Sequence, residues 1–180
     1  MKRYLSTVSI IAIFVLLSSC SGKSQQPKQF EILFYEPDIS FVSNEWLQFQ
    51  SEKCNDNILG ESDVYKYINT VGATVNEIIF AKKKENEKPN ILTACLASGT
   101  WEKDINSDGI YEIIYTFGTP EPNIRIIFLK DGKILEADIN KCTNSPSVRY
   151  MDDENVFIIN YINDSTDYKY KLENETLIME

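Results

Sequence analysis

The sequence predicts an α+β fold rich in strand, with an antiparallel meander in the C-terminal half and a short helix in the N-terminal half of a single domain. Three observations predict it. Short β-branched and aromatic runs recur from residue 74 to the end of the chain, separated by polar turns. Asp131-Gly132 stands between two apolar runs, the pattern of a two-residue hairpin. Residues 63–71 carry Val64, Ile68 and Val71 at helical spacing, with Ser62 placed to cap and Gly72 to stop the turn.

The elements follow in order. Residues 30–35 (FEILFY) read as a first strand ended by Pro37. In 41–50, Phe41, Trp46, Leu47 and Phe49 fit neither the helical nor the strand period. The helix over 63–71 comes next, then a strand over 74–80 and a charged connection, KKKENEK, over 82–88 before Pro89. Residues 90–97 form a strand with an apolar centre. Residues 110–117 form another, with Tyr111, Ile113, Tyr115 and Phe117 on one face. A loop over 118–122 leads to strands over 124–129 and 133–139. A further loop over 142–147 precedes strands over 156–162, 168–172 and 177–179. No internal repeat is visible.

The N-terminus is read apart from the fold. Lys2 and Arg3 precede an apolar run over 8–17, too short for the roughly 20 residues of a bilayer-spanning helix. Leu17-Ser18-Ser19-Cys20 follows and resembles the lipobox of bacterial lipoproteins. The resemblance implies a signal peptide over 1–19, cleavage before Cys20, and palmitate-type lipid on the Cys20 thiol and the new amine. Several acyl chains anchor a protein firmly where one is marginal. Residues 20–29 are polar, contain Gly and Pro, and read as a flexible tether, leaving 30–180 as one globular domain. Ser21 stands where enteric-type lipoproteins retained at the inner membrane carry Asp, so the resemblance implies the outer membrane or cell surface of the bacterial envelope rather than the inner membrane.

Charge and composition narrow the chemistry. The chain has 18 basic and 27 acidic residues; without 1–19, which hold two of the basic ones, the balance is 16 − 27 = −11. Such a surface repels nucleic acid. There is no histidine, which removes Ser-His-Asp and Cys-His catalysis and histidine metal sites. Cys54, Cys95 and Cys142 remain beside Cys20; no two have CxxC spacing, and any pairing among the three is open.

Residues 104–112, DINSDGIYE, carry Asp104, Asn106 and Asp108 on alternate positions, then Gly109 and Glu112. Calcium takes about six to eight oxygens from a flexible loop. Asp104, Asn106, Asp108, the carbonyl of Ile110 and Glu112 form a candidate ligand set. The competing reading is a metal-free turn at Asp108-Gly109, capped by the Asp104 and Asn106 side chains. An EF-hand requires Glu where Tyr115 stands, and a helix where a strand follows. The loop instead resembles the Asp-rich loop of FG-GAP/VCBS-type repeats of integrin-like β-propellers, over roughly residues 101–140. That resemblance implies a structural calcium ion. A propeller needs about four blades or more; a single loop of this kind does not fit a whole propeller.

Gly99-Thr100-Trp101 is similar to the G-x-W of lipocalins, which implies a small barrel carrying an apolar ligand. Glu173, Glu175 and Glu180 read as surface charge on edge strands. Tyr150, Tyr161, Tyr168 and Tyr170 serve either as a sugar platform or as ordinary strand residues. The function expected is a membrane-anchored bacterial lipoprotein with a non-catalytic binding or envelope-structural role, calcium-stabilised if the loop holds metal. It has no catalytic residue, and its partners are the membrane through its lipid and a protein or other envelope component. The alternatives are a metal-dependent envelope hydrolase using the acidic loop, and the lipocalin-like carrier.

Overall fold

A computed structural model describes residues 27–83, 88–118, 123–162 and 164–180. The expected signal peptide over 1–19, Cys20 and the expected tether as far as residue 26 lie outside the described residues, as do parts of the 82–88 and 118–122 connections. The fold is β-rich and antiparallel. The chain forms β1 (Gln29–Glu31), β2 (Phe34–Tyr35), a 3₁₀ turn (Asn44–Gln48), β3 (Gln50–Lys53), β4 (Val64–Thr70), β5 (Asn76–Lys82) and β6 (Asn90–Ala97). It continues with β7 (Gly99–Lys103), β8 (Glu112–Phe117), β9 (Asn123–Lys130), β10 (Lys133–Asp138) and α1 (Ile139–Thr143). It ends with β11 (Ser147–Met151), β12 (Val156–Asn160), β13 (Tyr168–Glu173) and β14 (Thr176–Met179).

From β3 onward the strands form three successive four-stranded meanders: β3-β4-β5-β6, β7-β8-β9-β10 and β11-β12-β13-β14. The two N-terminal strands each add a fifth strand, β2 beside β10 and β1 beside β14. The Asp131-Gly132 hairpin forms as expected. Lys130 faces Lys133, and both loop residues have positive φ (49° and 72°), as a type I′ turn requires.

The three sheets stack. Ile114, Ile126 and Phe128 of the middle sheet pack against Phe157, Ile159, Tyr170, Leu172 and Leu177 of the last. On its other face Ile113, Tyr115 and Ile127 meet Val64, Ile78, Phe80 and Cys95 of the first. The middle sheet is therefore covered on both sides, so "IYEIIYTF" reads as a near-continuous apolar run instead of a clean alternation. The outer face of the first sheet is closed by the 3₁₀ turn. Its Trp46 is fully buried and stands edge-on to Tyr67, ring centroids 4.7 Å apart, beside Ile79, Ala81 and Ala94.

Three expectations are corrected. Residues 63–71 are not helical: Val64–Thr70 is β4, paired along its whole length with β5. Val64 enters the core shared with the middle sheet, while Tyr65 and Tyr67 turn to the Trp46 side. Burial on two faces and β-favouring side chains override a helical spacing that rests on three residues. The helical pieces lie instead at 44–48 and at 139–143, where a strand end and a loop are expected. There Asp138 caps α1 by accepting the Lys141 N–H at 3.0 Å, and Asn144 ends it at φ 50°. The expected strand over 30–35 is broken at Ile32 and Leu33, because the chain crosses there from the last sheet to the middle one. Order also reaches into the expected tether. Gln29 belongs to β1, the Lys28 carbonyl accepts the Met179 N–H at 2.8 Å, and the Pro27 carbonyl accepts the Tyr170 hydroxyl at 2.7 Å. No helix among the described residues is long and apolar enough to cross a membrane.

Candidate functional site

The acidic loop joins β7 to β8, the first two strands of the middle sheet. It turns on its own side chains. Asp104 accepts the N–H of Asp108 on Oδ1 (3.1 Å) and of Gly109 on Oδ2 (3.0 Å). Asn106 Oδ1 also accepts the Asp108 N–H (3.0 Å), and Asp108 Oδ1 accepts the Ile110 N–H (2.8 Å). Ser107 and Gly109 lie at φ 63° and 86°, the left-handed region such a turn needs. The tip, Ser107 to Gly109, is exposed, whereas Ile105 is sunk in the core beneath it.

Glu112 closes the loop from inside. It is 1 % exposed, and its Oε2 accepts the Ile105 N–H at 3.0 Å. The Asn106 amide nitrogen stands between two carboxylates, 2.9 Å from Asp108 Oδ2 and 3.3 Å from Glu112 Oε1. Burial pushes the Glu112 carboxyl up to about 8. The Ile105 N–H opposes that rise, and the nearby charges of Asp108 and Asp104 add to it. The exit of the loop is fastened to the connection between β3 and β4. The Asn57 amide donates to the Gly109 carbonyl, and Tyr111 exchanges backbone hydrogen bonds with Asn57 and Leu59, both at 3.0 Å.

The structure thus brings Asp104, Asn106, Asp108 and Glu112 into one hydrogen-bonded network, and Ile110 joins it through its N–H. As they stand, the side chains serve the turn. Among the described residues no three His, Cys, Asp or Glu side chains converge as metal ligands. The donor set still fits a hard cation in kind: three carboxylates and an amide oxygen, with lone pairs to spare. An ion here requires Asn106 to turn its amide so that oxygen replaces nitrogen between Asp108 and Glu112.

The other sequence candidates find structural places. Trp101 packs edge-on against Tyr150, centroids 5.6 Å apart, at the margin of the core between the middle and last sheets. The strands lie in three separate sheets, not in the closed barrel that Gly99-Thr100-Trp101 suggested. Tyr170 is fully buried and Tyr150 nearly so, its hydroxyl 2.7 Å from Asn155 Oδ1; they do not form a flat exposed platform with Tyr161 and Tyr168. Glu175 pairs with Lys130, while Glu173 and Glu180 are exposed. Cys54, Cys95 and Cys142 are all free thiols. Burial pushes Cys54 up to about 12, with the Glu102 charge adding to the rise.

A second site was not singled out from the sequence. A cavity of about 240 Å³ opens where the middle and first sheets diverge, between the 35–41 segment and β6. Its floor is Glu136, 3 % exposed. Oε1 of Glu136 accepts three hydrogen bonds: from Tyr115 (2.6 Å), Tyr35 (2.9 Å) and Arg125 Nη1 (3.0 Å). Arg125 also lies with Nε 3.6 Å from Asp138 Oδ2, an ion pair without a hydrogen bond, and stacks its guanidinium over Phe117 at 4.6 Å. Burial, then the Glu136 charge, holds the Tyr35 and Tyr115 phenols far above their ordinary value. Burial alone would lower Arg125, but the hydrogen bond with Tyr115 and the negative charge of Glu136 outweigh it. The sequence does carry a signal for this cluster. The hairpin at Asp131-Gly132 sets the register that places Arg125 opposite Asp138 and Ile127 opposite Glu136, so charges inside two apolar strands share one face.

Comparison of the chain with protein-family models, with curated protein sequences and with solved structures finds no match.

Proposed function

We propose that this protein is a bacterial envelope lipoprotein, held by lipid on Cys20, whose β-rich body has a non-catalytic binding or structural role and is stabilised by calcium at the 104–112 loop. The observation that carries the calcium reading is Glu112. A carboxylate buried behind Asp104 and Asp108 needs either a proton or a cation, and the Asn106 amide already bridges two of these carboxylates where a cation would. The exposed tip of the loop favours a structural ion over a catalytic one, since the described cavity is lined by other residues. The anchoring reading rests on the leader and its Leu-Ser-Ser-Cys ending. The non-catalytic reading rests on the absence of histidine and on a Cys54 thiol whose environment disfavours the thiolate.

Calcium titration of the full chain in non-ionic detergent, by calorimetry and thermal melting, tests the first point. Saturable heat and a raised Tm, both lost in Asp108→Ala, are expected. No heat and no shift at millimolar calcium make the loop a turn. Labelling with a palmitate analogue in a bacterial host tests the second. Cys20→Ala is expected to lose the label and leave the membrane fraction; retention of both removes the anchor.

A further inference from the structure

We propose that the cavity between the 35–41 segment, the middle sheet and β6 is a binding site for an organic cation, an ammonium or guanidinium group on an aliphatic stem. The inference is independent of calcium binding and of anchoring.

Charge points first to a cation. Glu36 and Asp38 stand at the mouth and Glu136 at the floor, with Asp138 behind it. Against these four carboxylates stand Arg125, already committed to Glu136 and Asp138, and Lys141, whose Nζ is 3.7 Å from Asp138. The balance is −4 + 2 = −2. Arg125 is the only basic residue among the described lining, so an anionic ligand meets more repulsion than attraction.

The walls point the same way. Tyr35, Phe41, Tyr115 and Phe117 surround the space with aromatic carbon. The chain itself uses two of these rings for cations. Arg125 lies over Phe117 at 4.6 Å, and Lys141 over Tyr35 at 6.0 Å. Phe41, 38 % exposed, lies beside the acidic mouth, free to cover a third. The free edge of β6 at Ala94, Cys95 and Leu96 forms the remaining wall, leaving the aromatic rings as the apolar surface for a methylene stem.

The site is also held in shape. Pro37 separates the two mouth carboxylates and fixes its own φ. The Ser40 N–H donates to Asp38 Oδ1 at 3.0 Å. Tyr35 is fixed by its bond to Glu136, and β2 by pairing with β10. A ligand therefore meets the Asp38 carboxylate and the Tyr35 ring already in place, which lowers the ordering cost of binding.

The same cationic head occurs on free small amines and on the Lys or Arg side chains of a partner. Two probes separate these sources. The full chain in non-ionic detergent, with millimolar calcium present to satisfy the acidic loop, is titrated with agmatine and with a blocked Gly-Arg-Gly peptide, each followed by the amide NMR shifts of residues 35–41. Saturable shifts with agmatine alone assign the site to a free amine. Shifts with the peptide, alone or together with agmatine, assign it to a partner's side chain. Glu36→Gln with Asp38→Asn, both exposed and expected to fold normally, should weaken binding about tenfold, and Phe41→Ala about threefold. A neutral alcohol of the same stem length should not bind. No saturable shift with either cation, or binding unchanged in the Glu36→Gln/Asp38→Asn variant, overturns the proposal.

Discussion

The backbone N–H of Ile105 lies 3.0 Å from Oε2 of Glu112, so the buried start of the acidic loop holds the buried carboxylate that ends it. The loop is thereby closed from beneath by a group whose charge state depends on what else is present.

Glu112 makes the stability of the metal-free protein depend on pH. Its carboxyl has an ordinary value of 4.5 and is pushed up to about 8 in the fold. The folded chain therefore binds the proton more tightly than the unfolded chain. The stabilisation is fully present below about pH 4.5 and is lost as pH rises through about 8, at up to about 1.4 kcal/mol per pH unit. Thermal melts in chelator across that window are expected to show a falling Tm, with the slope flattened in Glu112→Gln. A Tm that rises across the window contradicts this.

The Arg125–Glu136 pair supports the fold around the cavity floor. Arg125→Met leaves Glu136 and Asp138 buried with one cation fewer and is expected to cost about 3–5 kcal/mol. Tyr115→Phe removes one charge-assisted bond and is expected to cost about 1.5–3 kcal/mol. Combining Arg125→Met with Glu136→Leu should recover part of the Arg125 loss. Urea unfolding of the two single variants and the double one measures the coupling, and strict additivity would rule it out.

Gly60 and Gly109 both have positive φ but differ in their surroundings. A Cβ on Gly60 would meet Leu129 Cδ2 at 2.6 Å, whereas one on Gly109 meets nothing within 4 Å. Gly109→Ala is expected to cost about 1–2 kcal/mol from backbone strain alone, and Gly60→Ala that strain plus a small increment as the flexible end of Leu129 shifts aside. Equal losses in chemical denaturation would show that the Leu129 contact is irrelevant.

Trp46 is a cover, and its indole nitrogen has no hydrogen-bond partner among the described residues. Trp46→Ala is expected to cost about 3–5 kcal/mol and to increase binding of a hydrophobic dye as Tyr67 and Ile79 open to solvent. Trp46→Phe loses no hydrogen bond, so most of that stability should remain, with little added dye binding. A Phe variant as damaged as the Ala variant would show that something other than ring packing holds the turn in place.

Six of the C-terminal strands were legible because a two-residue turn and alternating side chains leave little freedom in register, whereas β11 (Ser147–Met151), short and following a loop, was not. β8, β9, β10, β12, β13 and β14 all form where the pattern places them, to within a few residues. β3, whose residues are all exposed, carries no apolar pattern and was not visible. β4 was misread because its two faces enter different cores, so its apolar residues lose the period of two. The three-meander repeat was hidden for a related reason. Each sheet meets different neighbours, and its turns differ in length, from Asp131-Gly132 to the acidic loop. The acidic loop showed in the sequence because its residues are contiguous. The cavity did not, because Tyr35, Tyr115, Arg125 and Glu136 come from four strands, and their meeting depends on β2 crossing to the middle sheet.

β1 has a mechanical consequence. It pairs with β14 from Gln29 opposite Ile178 to Glu31 opposite Thr176, so the chain's C-terminus lies beside residue 28. A tug on residue 27 along the strand axis loads these bonds in shear, all at once, and does not peel them one by one. The strain then passes through Ile32 into β2 and is shared by a second sheet. A load applied at residue 27 would therefore meet resistance where it enters the fold, and a tag fused after Glu180 would sit on the same side as residue 28.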